Sequence, residues 1–149
     1  MGADTGARAR RILVVDDDRL LAETLRMMIA DFAAFEVGQD IAVDVVTSGR
    51  EAQRILAAQV GDVYDVVICD LSMPGVDGVT LYEGLVARRS PLAPRFVLVT
   101  GGAFTPGAAA AIERSAVPCL QKPFDSAKLA ETLRRFFEPP PGQGPRGSG

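Results

Sequence analysis

The sequence predicts an α/β domain built on a doubly wound, five-stranded parallel sheet. Three observations predict it. Five short apolar runs recur between residues 12 and 120, and a helical pattern follows each. The runs are continuous where a half-buried strand would alternate, which is the pattern of strands covered on both faces. Strands that alternate with helices imply a parallel sheet wound right-handedly.

The first run, Ile12–Val15, is rich in β-branched residues. From Asp18 to Phe32, apolar residues at 21, 25, 28, 29 and 32 have helical spacing. Ala42–Val46 is the second strand, and Ser48-x-x-Glu51 reads as a capping box opening a helix to about Ala58. Asp65–Cys69 is the third run, and Asp77 to Arg88 is a helix after a Pro-Gly turn. Arg95–Val99 is the fourth run. Thr105 caps the next helix, with Pro106 at its first position, where proline is favoured. Val117–Leu120 is a short fifth strand, and Asp125 caps a last helix to about Phe137.

At 149 residues, the chain fits one domain. A chain of that size buries about 68–70% of its unfolded surface. Residues 1–10 lack periodicity, and 139–149 (PPPGQGPRGSG) have little to bury, so both are expected to be disordered tails around a domain at 11–138. With 16 basic and 19 acidic residues the net charge is −3, which argues against a nucleic-acid partner.

The chain contains no histidine. That excludes Ser–His and Cys–His nucleophile pairs, His-ligated metals and phosphohistidine on this chain. General acid–base chemistry would fall to Asp, Glu, Lys or Tyr. Cys69 and Cys119 both lie in strand-like runs and are expected to be buried free thiols in a reducing compartment. No stretch approaches the ~18 apolar residues of a membrane span. Met1–Arg11 lacks a signal-peptide core, and Gly6 stands where myristoylation needs Ser or Thr. The expected location is cytoplasmic, with no membrane partner.

An open sheet of this kind places its site beyond the carboxyl ends of the strands. There stand Asp16, Asp17 and Asp18 after the first strand, Asp70 after the third, Thr100, Gly101 and Gly102 after the fourth, and Lys122 and Pro123 after the fifth. Three carboxylates in one pocket repel one another unless a cation sits among them. Lys122 supplies one charge, and the remainder calls for a hard divalent ion, Mg2+, which completes its shell with phosphate oxygens. Such a site suits phosphoryl transfer to an aspartate.

Four segments in order, ILVVDDD at 12–18, DVVICDLSMPGVDG at 65–78, VLVTGG at 97–102 and CLQKPFD at 119–125, resemble the receiver (response-regulator) domain of two-component signalling. The resemblance covers nearly all of residues 11–137. It implies a flavodoxin-like, CheY-like fold with strand order 2-1-3-4-5. It implies Asp70 as phosphoacceptor, Asp17 as a direct Mg2+ ligand, Asp16 acting mostly through water, and the Ser72 carbonyl as a further ligand. Thr100 would bond the phosphoryl oxygen, with Gly101 beside it, and Lys122 would pair with Asp70 or its phosphate. A cis Lys122–Pro123 peptide would aim the lysine inward. The implied partners are a histidine kinase or histidine phosphotransfer protein and a downstream protein of unknown identity. The chain itself would be a phosphoacceptor that dephosphorylates slowly, not a turnover enzyme. The readout face would be the fourth helix, fifth strand and fifth helix, which also offers a surface for a homodimer.

Taken singly, these residues have ordinary structural roles. Asp18 and Asp77 suit helix caps, Thr100 a solvated turn, and Lys122 the surface. Leu20, Thr24 and Met27 form a stripe beside the core-facing side of the first helix. It is either a wide buried face or, as the resemblance implies, a docking surface for the phosphodonor.

Cys119 departs from the family, which often has Tyr or Phe three residues before the lysine. The glycine-containing loop 101–104, with Phe104, is a candidate substitute for that aromatic switch. Only the Pro/Gly tail follows the last helix, so no output domain is expected. A stand-alone receiver is favoured over the terminal receiver of a hybrid sensor kinase, whose GGAFTP and CLQKPFD segments are similar.

The competing enzyme reading is a haloacid-dehalogenase-like phosphatase with Asp16 as nucleophile, from Asp16-x-Asp18, Thr100 and Lys122. It lacks the Thr or Val after Asp-x-Asp, where Leu20 stands, and the acidic pair after the lysine. A flavin-binding domain is excluded because three aspartates would repel the phosphate.

Overall fold

A computed structural model describes residues 9–58, 63–101, 106–115 and 117–137. The elements are β1 (Arg10–Val15), α1 (Arg19–Phe32), β2 (Ile41–Val46), α2 (Gly49–Ala58), β3 (Val66–Asp70), α3 (Gly78–Ala87), β4 (Phe96–Thr100), α4 (Pro106–Ser115), β5 (Cys119–Gln121) and α5 (Ser126–Arg134). The sheet order is β2-β1-β3-β4-β5, and every neighbouring pair is parallel. The expected architecture and strand order therefore hold.

The apolar runs form strands because both faces are covered. Every residue of β3 and of β4 is buried. Alternate residues serve opposite layers. Ile12 and Val14 of β1 join Ile68, Val97, Val99 and Leu120 against α1 and α5. Leu13 and Val15 join Val67, Cys69, Phe96 and Leu98 against α2 and α3. Each fully buried Leu, Ile, Val or Phe contributes about 1.5–3 kcal/mol relative to exposure. In α1 the buried face is Ala22, Leu25, Ile29 and Phe32, with Met28 packed at its side.

Helix starts follow the side chains expected to cap them. Asp18, Asp77 and Asp125 accept from Leu21 N, Thr80 N and Lys128 N. Ser48 Oγ accepts from Glu51 N at 3.2 Å. Each such cap is worth about 1 kcal/mol.

Several boundaries differ for physical reasons. Arg10, expected in the tail, pairs with Ile41 as the first residue of β1, and its guanidinium lies over the Phe137 ring. A π-helical turn, Ala33–Val37, prolongs α1 because it keeps Ala33 and Val37 in the core. The fourth strand starts at Phe96, after a 3-10 turn at Ala93–Arg95. Arg95 there donates to the carbonyls of Asp65 and Phe136. The last helix ends at Arg134, yet Phe136 and Phe137 remain buried, with Phe137 set edge-on to Phe32.

Cys119 corrects the expectation of two buried thiols: Cys69 is buried and Cys119 exposed, because β5 is an edge strand. Leu20 and Met27 are 79% and 69% exposed, so the stripe on α1 is not a wide buried face. Residues 1–8 and 139–149 of the expected tails, Glu138 at the end of the expected domain, the Thr105 cap, Gly102 and Phe104 lie outside the described residues. Among the described residues no helix is long and apolar enough to cross a membrane.

Candidate functional site

β1 delivers Asp16 at the carboxyl edge, where its N–H donates to Val46 O at 3.1 Å. The residue is turned inward and is 1% exposed. Asp18 N donates to Asp16 Oδ1 at 2.9 Å. Asp18 itself is a cap, accepting from Leu21 N. The amide contact was missed by sequence reasoning, although an Asp two residues before another polar residue is the signal of such a turn. Asp17 lies between them and is exposed.

Asp70 is the last residue of β3 and is 6% exposed. Ser72 N donates to Asp70 Oδ1 at 3.3 Å. Carboxylate oxygens of Asp16, Asp17 and Asp70 lie within 4.8 Å of one another. The topology does this: β1 and β3 are neighbours in register, with Val15 opposite Cys69, so the next residues of both strands meet.

Lys122 follows β5, and its N–H donates to Thr100 O at 2.7 Å. Its ammonium lies 3.7 Å from Asp16 Oδ2 and 3.6 Å from Asp70 Oδ2. The Lys122–Pro123 peptide is cis, as the resemblance implied, and Pro123 is exposed. Thr100 closes β4 and is buried. A Cβ on Gly101 would sit 3.6 Å from Lys122 Cδ, so that residue lies along the lysine stem.

Burial pushes the Asp16 carboxyl above the usual range, and the Asp70 charge adds to it; the Asp18 amide and Lys122 oppose. Burial likewise raises Asp70, against Lys122 and the Ser72 amide, while Asp17 adds repulsion. Asp16 Oδ2 is buried and has no hydrogen bond among the described residues. An all-oxygen donor set with net negative charge and one unsatisfied carboxylate oxygen fits a hard divalent cation such as Mg2+. Cys69, next to Asp70 in β3, has its thiol raised well above its usual value by burial.

Residues 12–134 match the family described as response regulator receiver domain. The chain is 32% identical over 128 residues to the C4-dicarboxylate transport transcriptional regulatory protein DctD of Pseudomonas aeruginosa, covering 86% of this chain and 25% of that protein. It is 33% identical over 131 residues to the transcriptional regulatory protein FixJ of Bradyrhizobium diazoefficiens, covering 86% of this chain and 58% of FixJ. The chain thus spans only part of the length of these relatives. Among solved structures, it resembles the receiver domain of a sensor histidine kinase from Pseudomonas aeruginosa with a magnesium ion coordinated in its active-site cleft. That match has a TM-score of 0.67 and 22% identity, over 87% of this chain and 98% of that one.

Proposed function

The chain belongs to the response regulator receiver family, and from that premise we propose that Asp70 is its phosphoacceptor in phosphorelay signalling. Asp17, Asp70 and the Ser72 carbonyl would hold Mg2+, and Asp16 would act on it mostly through water. Thr100, Gly101 and Lys122 receive the phosphoryl group, and Pro123 follows the lysine on the cis peptide. The observation that carries this reading is the meeting of the Asp16, Asp17 and Asp70 carboxylates within 4.8 Å, with the Lys122 ammonium 3.6 Å from Asp70.

An Asp70 oxygen attacks the phosphorus of a phosphohistidine on a histidine kinase or phosphotransfer protein. The O–P bond forms, the P–N bond breaks, and the imidazole leaves with the electron pair and takes a proton from solvent. Bound Mg2+ supplies charge neutralisation at the phosphoryl oxygens. Lys122 adds a second positive charge there, and the Thr100 hydroxyl donates a hydrogen bond. The transfer is catalysed by the receiver itself, and water returns the aspartate only slowly.

Phosphorylation adds about −1.5 to −2 charges. It favours conformations in which Thr100 and Lys122 close on Asp70, and the face of α4, β5 and α5 passes the change to a downstream protein or a second copy. The exposed Leu20, Thr24 and Met27 stripe begins at the site end of α1 and is the docking surface for the phosphodonor. The location is cytoplasmic, where such donors carry their kinase domains.

The phosphatase reading has no support. Asp16 is 1% exposed, its Oδ1 is engaged by the Asp18 amide, and the family match spans the whole site.

The test is acetyl phosphate with Mg2+, read by intact mass. The unaltered chain gains one phosphoryl group, sensitive to base, and Asp70→Asn gains none. Labelling of Asp70→Asn, or turnover that depends on Asp16, overturns the reading.

A further inference from the structure

Gly49, the first residue of α2, is buried against the loop that leads from β3 to α3. A Cβ on Gly49 would fall 1.9 Å from Val76 O, 2.9 Å from Val76 C and 3.1 Å from Val76 Cβ. No side chain fits there unless the helix or the loop retreats. Three residues earlier, Val46 O accepts from Asp16 N at 3.1 Å. One short turn, residues 46–49, therefore meets the backbone of both acidic segments: that of Asp16 through Val46, and that following Asp70 through Val76.

Both sides of this contact are anchored. α2 is held by buried Ala52 and Leu56 and by the Ser48 cap. The loop is fixed at its far end, where Gly78 N donates to Leu71 O at 3.1 Å and a Cβ on Gly78 would fall 2.7 Å from Asp70 O. Ser72 lies within this loop, with its amide on Asp70 Oδ1.

We propose that Gly49 is a positioning residue for the divalent-cation site. The amino end of α2 is a stop that sets how close the segment bearing Asp70 and Ser72 comes to the segment bearing Asp16 and Asp17. The proposal rests on the Mg2+ reading above. Its chemistry is simple: Mg2+ demands near-ideal geometry from its oxygens, so a displacement of one segment by a methyl group costs affinity although no ligand is changed. Residues 46–49 themselves carry no carboxylate.

The experiment measures Mn2+ binding by the full chain, from the electron paramagnetic resonance signal of free Mn2+, beside urea unfolding. Gly49→Ala is compared with Ser48→Ala, which removes the cap of the same helix end and adds no atom to the helix–loop contact. Gly49→Ala is expected to lose about tenfold or more in Mn2+ affinity, the scale of outer-shell changes at metal sites, while Ser48→Ala stays within about twofold. Equal losses in the two variants, or unchanged affinity in Gly49→Ala, overturn the proposal. The unaltered chain gives a second measurement that needs no variant to fold. Added Mg2+ slows amide exchange in the first turn of α2, residues 50–52, and leaves the last turn of α3, residues 85–87, unchanged. Absence of that slowing also overturns the proposal. If the unaltered chain binds no Mn2+, the Mg2+ reading itself fails and takes this one with it; if it binds and Gly49→Ala binds equally, only the positioning role fails.

Discussion

The Lys122 ammonium lies 3.6 Å from Asp70 Oδ2 and 3.7 Å from Asp16 Oδ2, near enough to offset the charge of both. Lys122→Met keeps the stem beside Gly101 and removes the charge. Without divalent ions, the variant is expected to be less stable by about 1–2 kcal/mol, since the carboxylates lose their counter-charge at a partly exposed site. Mg2+ should recover most of that loss. Urea unfolding in chelator and in Mg2+ measures both, and an equal loss in the two conditions would show that the lysine is not the counter-charge.

Leu20 and Met27 are exposed at 79% and 69%, so their removal leaves the core intact. Leu20→Ala with Met27→Ala should change stability by no more than about 0.5 kcal/mol per site. Labelling by acetyl phosphate should be unchanged, because that donor needs no docking surface. Transfer from a phosphorylated histidine protein should slow. If transfer keeps its rate in a stopped-flow comparison, the stripe does not dock the donor.

The legible part of this protein is the part fixed by local chemistry. Continuous apolar runs gave strands buried on both faces, and Asp18, Asp77 and Asp125 marked helix starts because an aspartate satisfies free amides wherever it stands. The carboxyl edge was legible because the candidate residues follow the runs closely: Asp16, Asp70 and Thr100 stand next after theirs, and Lys122 two beyond the last. What escaped depends on distant partners. Nothing local to Ala33–Val37 announces a π-helical turn, since its cause is the core it packs into. Cys119 reads as buried by its apolar neighbours, and only its place on an edge strand exposes it. The contact of Gly49 with Val76 joins residues 27 apart, and a glycine after a capping serine carries no sign of the loop above it.

The two cysteines should separate cleanly. Cys69 is buried and Cys119 exposed, and burial raises both thiols above their usual value, Cys69 the more strongly. A maleimide should label the native chain once, at Cys119, with a rate that rises with pH as the thiolate forms. Cys69 should react only after urea unfolds the domain. Peptide mapping after labelling decides it: early modification of Cys69 would mean that β3 opens in the native state.

Tyr64 gives the clearest pH dependence. Its hydroxyl donates to Asp44 Oδ2 at 2.8 Å, and Arg11 pairs with the same carboxylate. Burial, then the Asp44 hydrogen bond and charge, pushes the phenol up to about 12 from an ordinary 10.0. Between those values the unfolded chain has released this proton and the folded chain has kept it, so stability falls as pH rises through that window. The contribution is fully present below the ordinary value and is lost by the raised one, to a maximum of about 2–3 kcal/mol. Tyr64→Phe should lose that alkaline slope, at a cost of about 1 kcal/mol near neutral pH for the missing hydrogen bond. The chain has two tyrosines and no tryptophan, so tyrosinate absorbance follows the titration directly. Asp44→Asn should bring the late step to lower pH. A late step that survives in Tyr64→Phe would remove Tyr64 and its Asp44 contact as the cause.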